Sequence, residues 1–180
     1  MKISLKIKLL FYWHKIFRPD YKKDYLIKIS KGGEGVKSVV FLLPEDQKQA
    51  QLAAHFIKHD DKKNKYQFSY IIHEDSLPLY HSNILSNAYI ITKDDMNWFG
   101  AITSKNIINN INNAKFDAIV DLNQSHNQNL SFILMDLTIP IKVGFQAEFS
   151  NLLYTIILES KSIGFIEENY IMIERILGLK

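Results

Sequence analysis

The sequence predicts a single α/β domain built around a mostly parallel sheet, and three observations predict it. Segments apolar on both faces recur along the chain, among them VKSVVFLL at 36–43 and NAYIIT at 87–92. Segments of helical periodicity separate them. Lys115 to Phe145 reads as strand, polar loop, short apolar helix and second strand, which is a βαβ unit. Strands buried on both faces belong to sheets covered by helices on either side. Right-handed crossovers then give a doubly wound, Rossmann-like arrangement. Six strands are expected, with helices on both faces and a basic helix ahead of them.

Residues 1–18 repeat Leu5, Leu9, Tyr12, Trp13 and Ile16 at helical spacing. Pro19 would stop that helix. Residues 20–36 form a polar connector ending in a Gly32, Gly33, Gly35 cluster. The cluster precedes the first strand, whereas a dinucleotide-binding glycine loop must follow one, so it reads as a hinge. The expected boundary therefore separates 1–31, a basic helix and connector, from 32–180, one α/β domain.

Val36 to Leu43 is the first strand. Pro44, Glu45 and Asp46 open a helix running to about His59, with proline and acids at its N-terminus. Gln67 to His73 is the second strand, and Pro78 marks a loop or short helix after it. Asn87 to Thr92 is the third strand, Thr103 to Asn113 a helix, and Phe116 to Leu122 the fourth strand. A helix at 130–137 leads to the fifth strand, Ile139 to Gly144. Leu152 to Leu158 reads as the sixth strand. Ile163 to Leu177 closes the fold as a helix with Ile166, Tyr170, Ile173 and Leu177 on one face, and Gly178 is its stop.

The chain of 180 residues is 47% hydrophobic and 23% charged, enough to bury a core without staples. It has no cysteine, which excludes a disulfide framework, a thiolate zinc site and a thiol nucleophile. No apolar run near the N-terminus is long enough to span a membrane, and lysines interrupt any signal-peptide core. The expected location is cytoplasmic, with peripheral attachment at the inner membrane as the further option. The net charge of +3 is unevenly placed. Residues 1–31 hold nine Lys or Arg and two Asp, a net of +7, while the remainder is at −4. Lys2, Lys6, Lys8, Lys15, Arg18, Lys22 and Lys23, with Trp13 at the boundary of an amphipathic helix, suit an anionic membrane surface or another anionic partner. No RNA-binding signature accompanies them, so nucleic acid ranks behind a protein partner or a membrane.

In a doubly wound fold, ligands bind beyond the carboxyl ends of the strands. Asp121 and Asn123 end the fourth strand. Asp121 could act as a base, while either residue could simply cap the following loop. Glu45 and Asp46 sit at the first strand-to-helix turn, where acids repel phosphate and no glycine is present. Asn97, Trp98, Phe99 and Gly100 form an aromatic loop that either anchors a partner or tucks under the sheet end. The weak catalytic candidates are Asp46 and Asp121. The binding candidates are Glu45, Asn97, Trp98, Phe99 and Asn123. His55 and His59 lack the rest of a zinc motif, and neither a metal nor a cofactor is expected.

The stretch FDAIVDLNQSHNQNLSFILMDLTIPIKVGF resembles the N-terminal, acceptor-side half of bacterial heptosyltransferases. Phe116-Asp117, Val120-Asp121-Leu122 and Val143-Gly144-Phe145 carry the likeness. That family places a glycine and a catalytic acid after its first strand. Here the turn reads Leu43-Pro44-Glu45-Asp46, so Asp46 stands in the acid's place and the glycine is missing. The resemblance does not reach that family's C-terminal sugar-nucleotide domain, which is not expected in these 180 residues. Over more of its length the chain is similar to a small bacterial family of unknown activity. That family combines a basic N-terminal helix, an Asn-Trp-Phe-Gly-like loop, a Phe-Asp-x-x-x-Asp-Leu strand and a Lys-Val-Gly strand end. The resemblance implies a Rossmann-like fold and no particular activity. The expected role is a non-enzymatic binding or adaptor domain, tethered to a membrane or a large assembly through 1–31. The alternatives are a sugar- or nucleotide-binding glycosyltransferase remnant, and an RNA- or ribosome-associated protein.

Overall fold

The computed structural model describes residues 5, 8, 9, 12, 13, 16, 36–57, 66–98, 100–123, 129–159 and 166–179. Six strands, β1 (Ser38–Leu42), β2 (Gln67–His73), β3 (Ala88–Ile91), β4 (Ala118–Asp121), β5 (Ile141–Phe145) and β6 (Ile156–Leu158), form one sheet in the order β3-β2-β1-β4-β5-β6. Every neighbouring pair is parallel. The chain winds outward from β1 to one edge, returns to β4 and winds to the other edge. This is the doubly wound, Rossmann-like α/β arrangement expected from the sequence.

The pleat sends alternate side chains to opposite faces, and the core is accordingly in two parts. Val39, Phe41, Ala118, Val120 and Val143 meet helix α1 (Gln47–Ile57) through Ala50, Ala53 and Ile57. They also meet the closing helix, numbered α5 here (Ile166–Leu177), through Tyr170, Ile173 and Leu177. On the other face Val40, Leu42, Ile71 and Ile119 pack on α3 (Lys105–Asn113), which contributes Ile108 and Ile111, and on Leu130, Phe132 and Ile133. Two four-residue helices, α2 (Ser82–Leu85) and α4 (Ser150–Leu153), sit in connections.

Several boundaries differ from the sequence reading. Pro44 precedes α1, and Asp46 caps the helix: its Oδ1 accepts from Lys48 N at 3.1 Å and Gln49 N at 3.0 Å. The segment expected as a helix over 130–137 is a 3-10 stretch, Asn129–Met135. The segment read as a strand from Leu152 splits into α4 and a three-residue β6. Its apolar run gave no periodicity to separate the two, because both halves are needed for burial. The closing helix ends as expected. Gly178 has φ 68°, its N–H donates to Arg175 O, and Leu179 N donates to Glu174 O, a Schellman closure. The connector with its glycine cluster, and His59, lie outside the described residues.

Candidate functional site

β1 is followed by its neighbour on one side, β2, and β4 by its neighbour on the other, β5, so the carboxyl ends of β1 and β4 mark the topological switch point. Leu42 pairs with Asp121 in the register of these strands, and Leu122 N donates to Leu42 O at 3.0 Å. Asp121 is 0% exposed. Its Oδ1 accepts from Asn123 N at 3.0 Å and Asn123 Nδ2 at 2.6 Å. Its Oδ2 accepts from Ser131 Oγ at 2.5 Å and Tyr154 OH at 2.7 Å. Burial pushes this carboxyl above its ordinary range, and the four donors pull it back only in part. Tyr154 is pushed up as well, by burial first and by the neighbouring carboxyl second. The network ties β4, the 129–135 stretch and the entry to β6 together.

Gly144 explains how Tyr154 gets there. A Cβ built on Gly144 would lie 2.2 Å from two ring carbons of Tyr154. Only glycine leaves room for the ring to cross β5 and reach Asp121. The other acid of the FDxxxDL pattern, Asp117, works at the opposite end of the same strand. Its Oδ2 accepts from Lys37 N, Ser38 N and Ser38 Oγ at 2.8–3.0 Å, clamping β1 to β4. Those bonds hold its pKa below the ordinary value against the opposing effect of burial. Lys142, on β5, is buried, and its Nζ donates to Leu134 O at 2.5 Å and Leu137 O at 2.8 Å. Burial pulls its pKa down to about 8. Sequence inspection missed Ser131, Tyr154 and Lys142, because their partners lie 10, 33, 8 and 5 residues away and follow no local pattern. The Val-Gly end of β5 was the one available signal.

In the turn after β1, Leu43 and Pro44 are buried and Glu45 and Asp46 are exposed. Tyr80 OH donates to Pro44 O at 2.7 Å and fixes the turn. Asn123 is 6% exposed, and its Oδ1 has no hydrogen-bond partner among the described residues. A buried acceptor left without a partner costs about 1–3 kcal/mol. The structure thus brings Asp121 and Asn123 together in direct contact.

The aromatic loop is elsewhere, beyond edge strand β3. Met96 and Ile102 pair in an antiparallel bridge, and the loop between them is a tight hairpin. Asn97 N donates to Ala101 O, Gly100 N to Asn97 O, and Ala101 N to Asn97 Oδ1. Gly100 takes φ 83°, which a side chain would strain. This frame leaves Trp98 85% exposed; Phe99 lies outside the described residues. Of the basic candidates, Lys8 is exposed and Trp13 half-buried, both in helical backbone. Lys2, Lys6, Lys15, Arg18, Lys22 and Lys23 lie outside the described residues. Leu5, Leu9, Tyr12 and Ile16 are helical and 49–74% exposed. Among the described residues there is no group of acids and histidines able to hold a metal ion, and no helix long and apolar enough to cross a membrane.

The model of a family of unknown function, DUF6913, matches residues 13–169, and the chain belongs to that family. No curated protein and no solved structure matches it. The likeness to heptosyltransferases therefore rests on the short motif alone. In this fold both acids of that motif are engaged in holding strands together.

Proposed function

We propose that this member of the DUF6913 family is a non-enzymatic binding module that docks on an anionic membrane surface through its basic N-terminal segment. The observation that carries the reading is the stripe Leu5, Leu9, Tyr12 and Ile16. These residues are spaced four, three and four apart in helical backbone, and they remain about half or more exposed. The sequence around them supplies a net charge of +7 over 1–31. An apolar stripe with lysines beside it suits the boundary between headgroups and acyl chains. Each basic residue near an anionic leaflet adds about 1 kcal/mol. The non-enzymatic part is supported by Asp121, whose carboxylate is enclosed by four donors, and by Asp46, which caps α1. The hairpin bearing the exposed Trp98 is a suitable contact for whatever the module recruits.

Flotation of the full-length chain with vesicles tests this. Binding is expected to vesicles containing phosphatidylglycerol, and little or none to pure phosphatidylcholine. High salt should weaken binding without abolishing it, since the apolar contact is not screened. Leu9→Glu with Ile16→Glu should release the chain while its far-UV circular dichroism stays unchanged. Equal flotation of the wild type and this variant would refute the proposal. Retention on RNA with a steep salt slope, without flotation, would replace it with nucleic-acid binding.

A further inference from the structure

We propose that the outer face of the closing helix is an antiparallel, two-fold docking surface for a second copy of this chain. Helix α5 turns Tyr170, Ile173 and Leu177 to the core, where all three are buried. Its opposite face carries Glu168, Ile171, Met172 and Arg175, spaced three, one and three residues apart, which is one stripe of an α-helix. All four are exposed. Ile171 is 41% and Met172 47% exposed, so two adjoining large apolar side chains stand in water at the middle of the stripe. Apolar residues scattered singly are ordinary on a surface. Here two adjoin, and an acid and a base frame them.

The order of the stripe selects the occupant. Glu168 and Arg175 are equally far from the point midway between Ile171 and Met172, each about 5 Å along the helix axis at 1.5 Å per residue. A two-fold axis through that point, perpendicular to the helix, lays a second α5 antiparallel on the first. Ile171 and Met172 then meet their own copies, while Glu168 faces the partner's Arg175 and Arg175 faces the partner's Glu168. An isologous interface needs a patch that complements itself under this rotation, and the stripe does so in charge. Parallel packing would set acid on acid and base on base. Among the described residues neither charge has an ion-pair partner. Two apolar side chains from each copy make a small contact, so association is weak and concentration-dependent. The surface uses none of residues 1–31, and measuring it in solution without vesicles separates it from membrane docking.

Sedimentation velocity of the full-length chain at low ionic strength, from about 5 µM to about 500 µM, tests the proposal. The mass is expected to rise from one chain to two across that range. Met172→Glu sets two like charges at the axis and should raise Kd about tenfold or more. Glu168→Arg and Arg175→Glu each create two like-charge contacts and should raise it about fivefold or more. Both reversals in one chain should return Kd to within about threefold of wild type. A mixture of the two single variants should dimerise more tightly than either alone. Leu9→Glu with Ile16→Glu should leave Kd unchanged. A chain that stays monomeric throughout overturns the proposal, as does a dimer indifferent to Met172→Glu or one that the double reversal fails to restore. Loss of the dimer in Leu9→Glu with Ile16→Glu also overturns it, since the contact would then lie in the N-terminal segment. A monomeric wild type whose urea midpoint falls in Met172→Glu would show instead that the chain's own residues cover the stripe. If Glu168→Arg does not fold, Arg175→Glu and Met172→Glu decide, and an unchanged Kd in both overturns the proposal.

Discussion

Asp121 shows what one buried carboxyl asks of its surroundings. Asp121→Ala would leave the Ser131 and Tyr154 hydroxyls and the Asn123 amide without their acceptor in a dry site. The expected loss is about 3 kcal/mol or more, read from urea unfolding. Asp121→Asn keeps the shape, and the two hydroxyls can turn to accept from the new amide, so its loss should be clearly smaller. The pair also reports the ionisation of Asp121. Its pKa is raised in the fold above 3.8, with burial as the first cause. The folded state thus favours the neutral acid. That contribution is full below the unfolded value and is lost as pH rises through the folded one. Wild type should therefore gain stability relative to Asp121→Asn as pH is lowered toward 4, in matched urea titrations. Gly144→Ala acts on the same network from another side. The added methyl collides with the Tyr154 ring and must push it off Asp121. Overpacking of this kind costs about 1–3 kcal/mol. Tyr154→Phe combined with Gly144→Ala should lose less than the sum of the two singles, since the ring has no bond left to give up.

At the scale of elements, two side chains hold segments by bonding to their backbone groups. Asp46 caps α1 from an exposed position. Asp46→Ala should lower stability by about 1 kcal/mol without disturbing the core, seen as a shift of the urea midpoint at constant slope. Lys142 joins β5 to the end of the 129–135 stretch through the Leu134 and Leu137 carbonyls. Lys142→Met keeps most of the apolar stem and strips those bonds, for an expected loss of about 1–3 kcal/mol. Its pH signature is separate. Burial lowers the amine from 10.5 to about 8, so the folded state penalises the charged form. Between those values the unfolded chain binds more protons, and stability rises with pH. Wild type should gain on Lys142→Met from about pH 8 to 10.5. A flat difference across that window would mean that the two carbonyl bonds offset the burial.

On the scale of the whole molecule, a mildly acidic α/β body carries a strongly basic terminal segment, with net charges of −4 and +7. If the segment docks by its exposed stripe, the body's urea midpoint should be the same in wild type and in Leu9→Glu with Ile16→Glu, while flotation separates them. A lower midpoint in the variant would mean that the stripe packs on the body instead. Much of this architecture was legible in the chain. The strands at 38–42, 67–73, 88–91, 118–121 and 141–145 all overlap the segments read as strands, because a strand covered on both faces is rich in apolar residues. The Gly178 stop was legible because helix closure is a local event within five residues. The residues at 129–135 and 150–158 were not, since short apolar runs carry no periodicity and their backbone follows the packing around them. Asp121 and Asn123 were visible as polar residues closing a buried strand. Their use was not visible, since it depends on Ser131 and Tyr154 arriving from other elements and on the space that Gly144 leaves. The sequence by itself determined the α/β class, the parallel sheet and the charge division, because burial patterns and charge are properties of short segments. Only the tertiary structure decided that Asp117 clamps strands, that Asp121 is enclosed, that Trp98 is held outward and that Asn123 keeps an acceptor to spare. Each of those depends on atoms far apart in the chain meeting within hydrogen-bond distance, which no local pattern encodes.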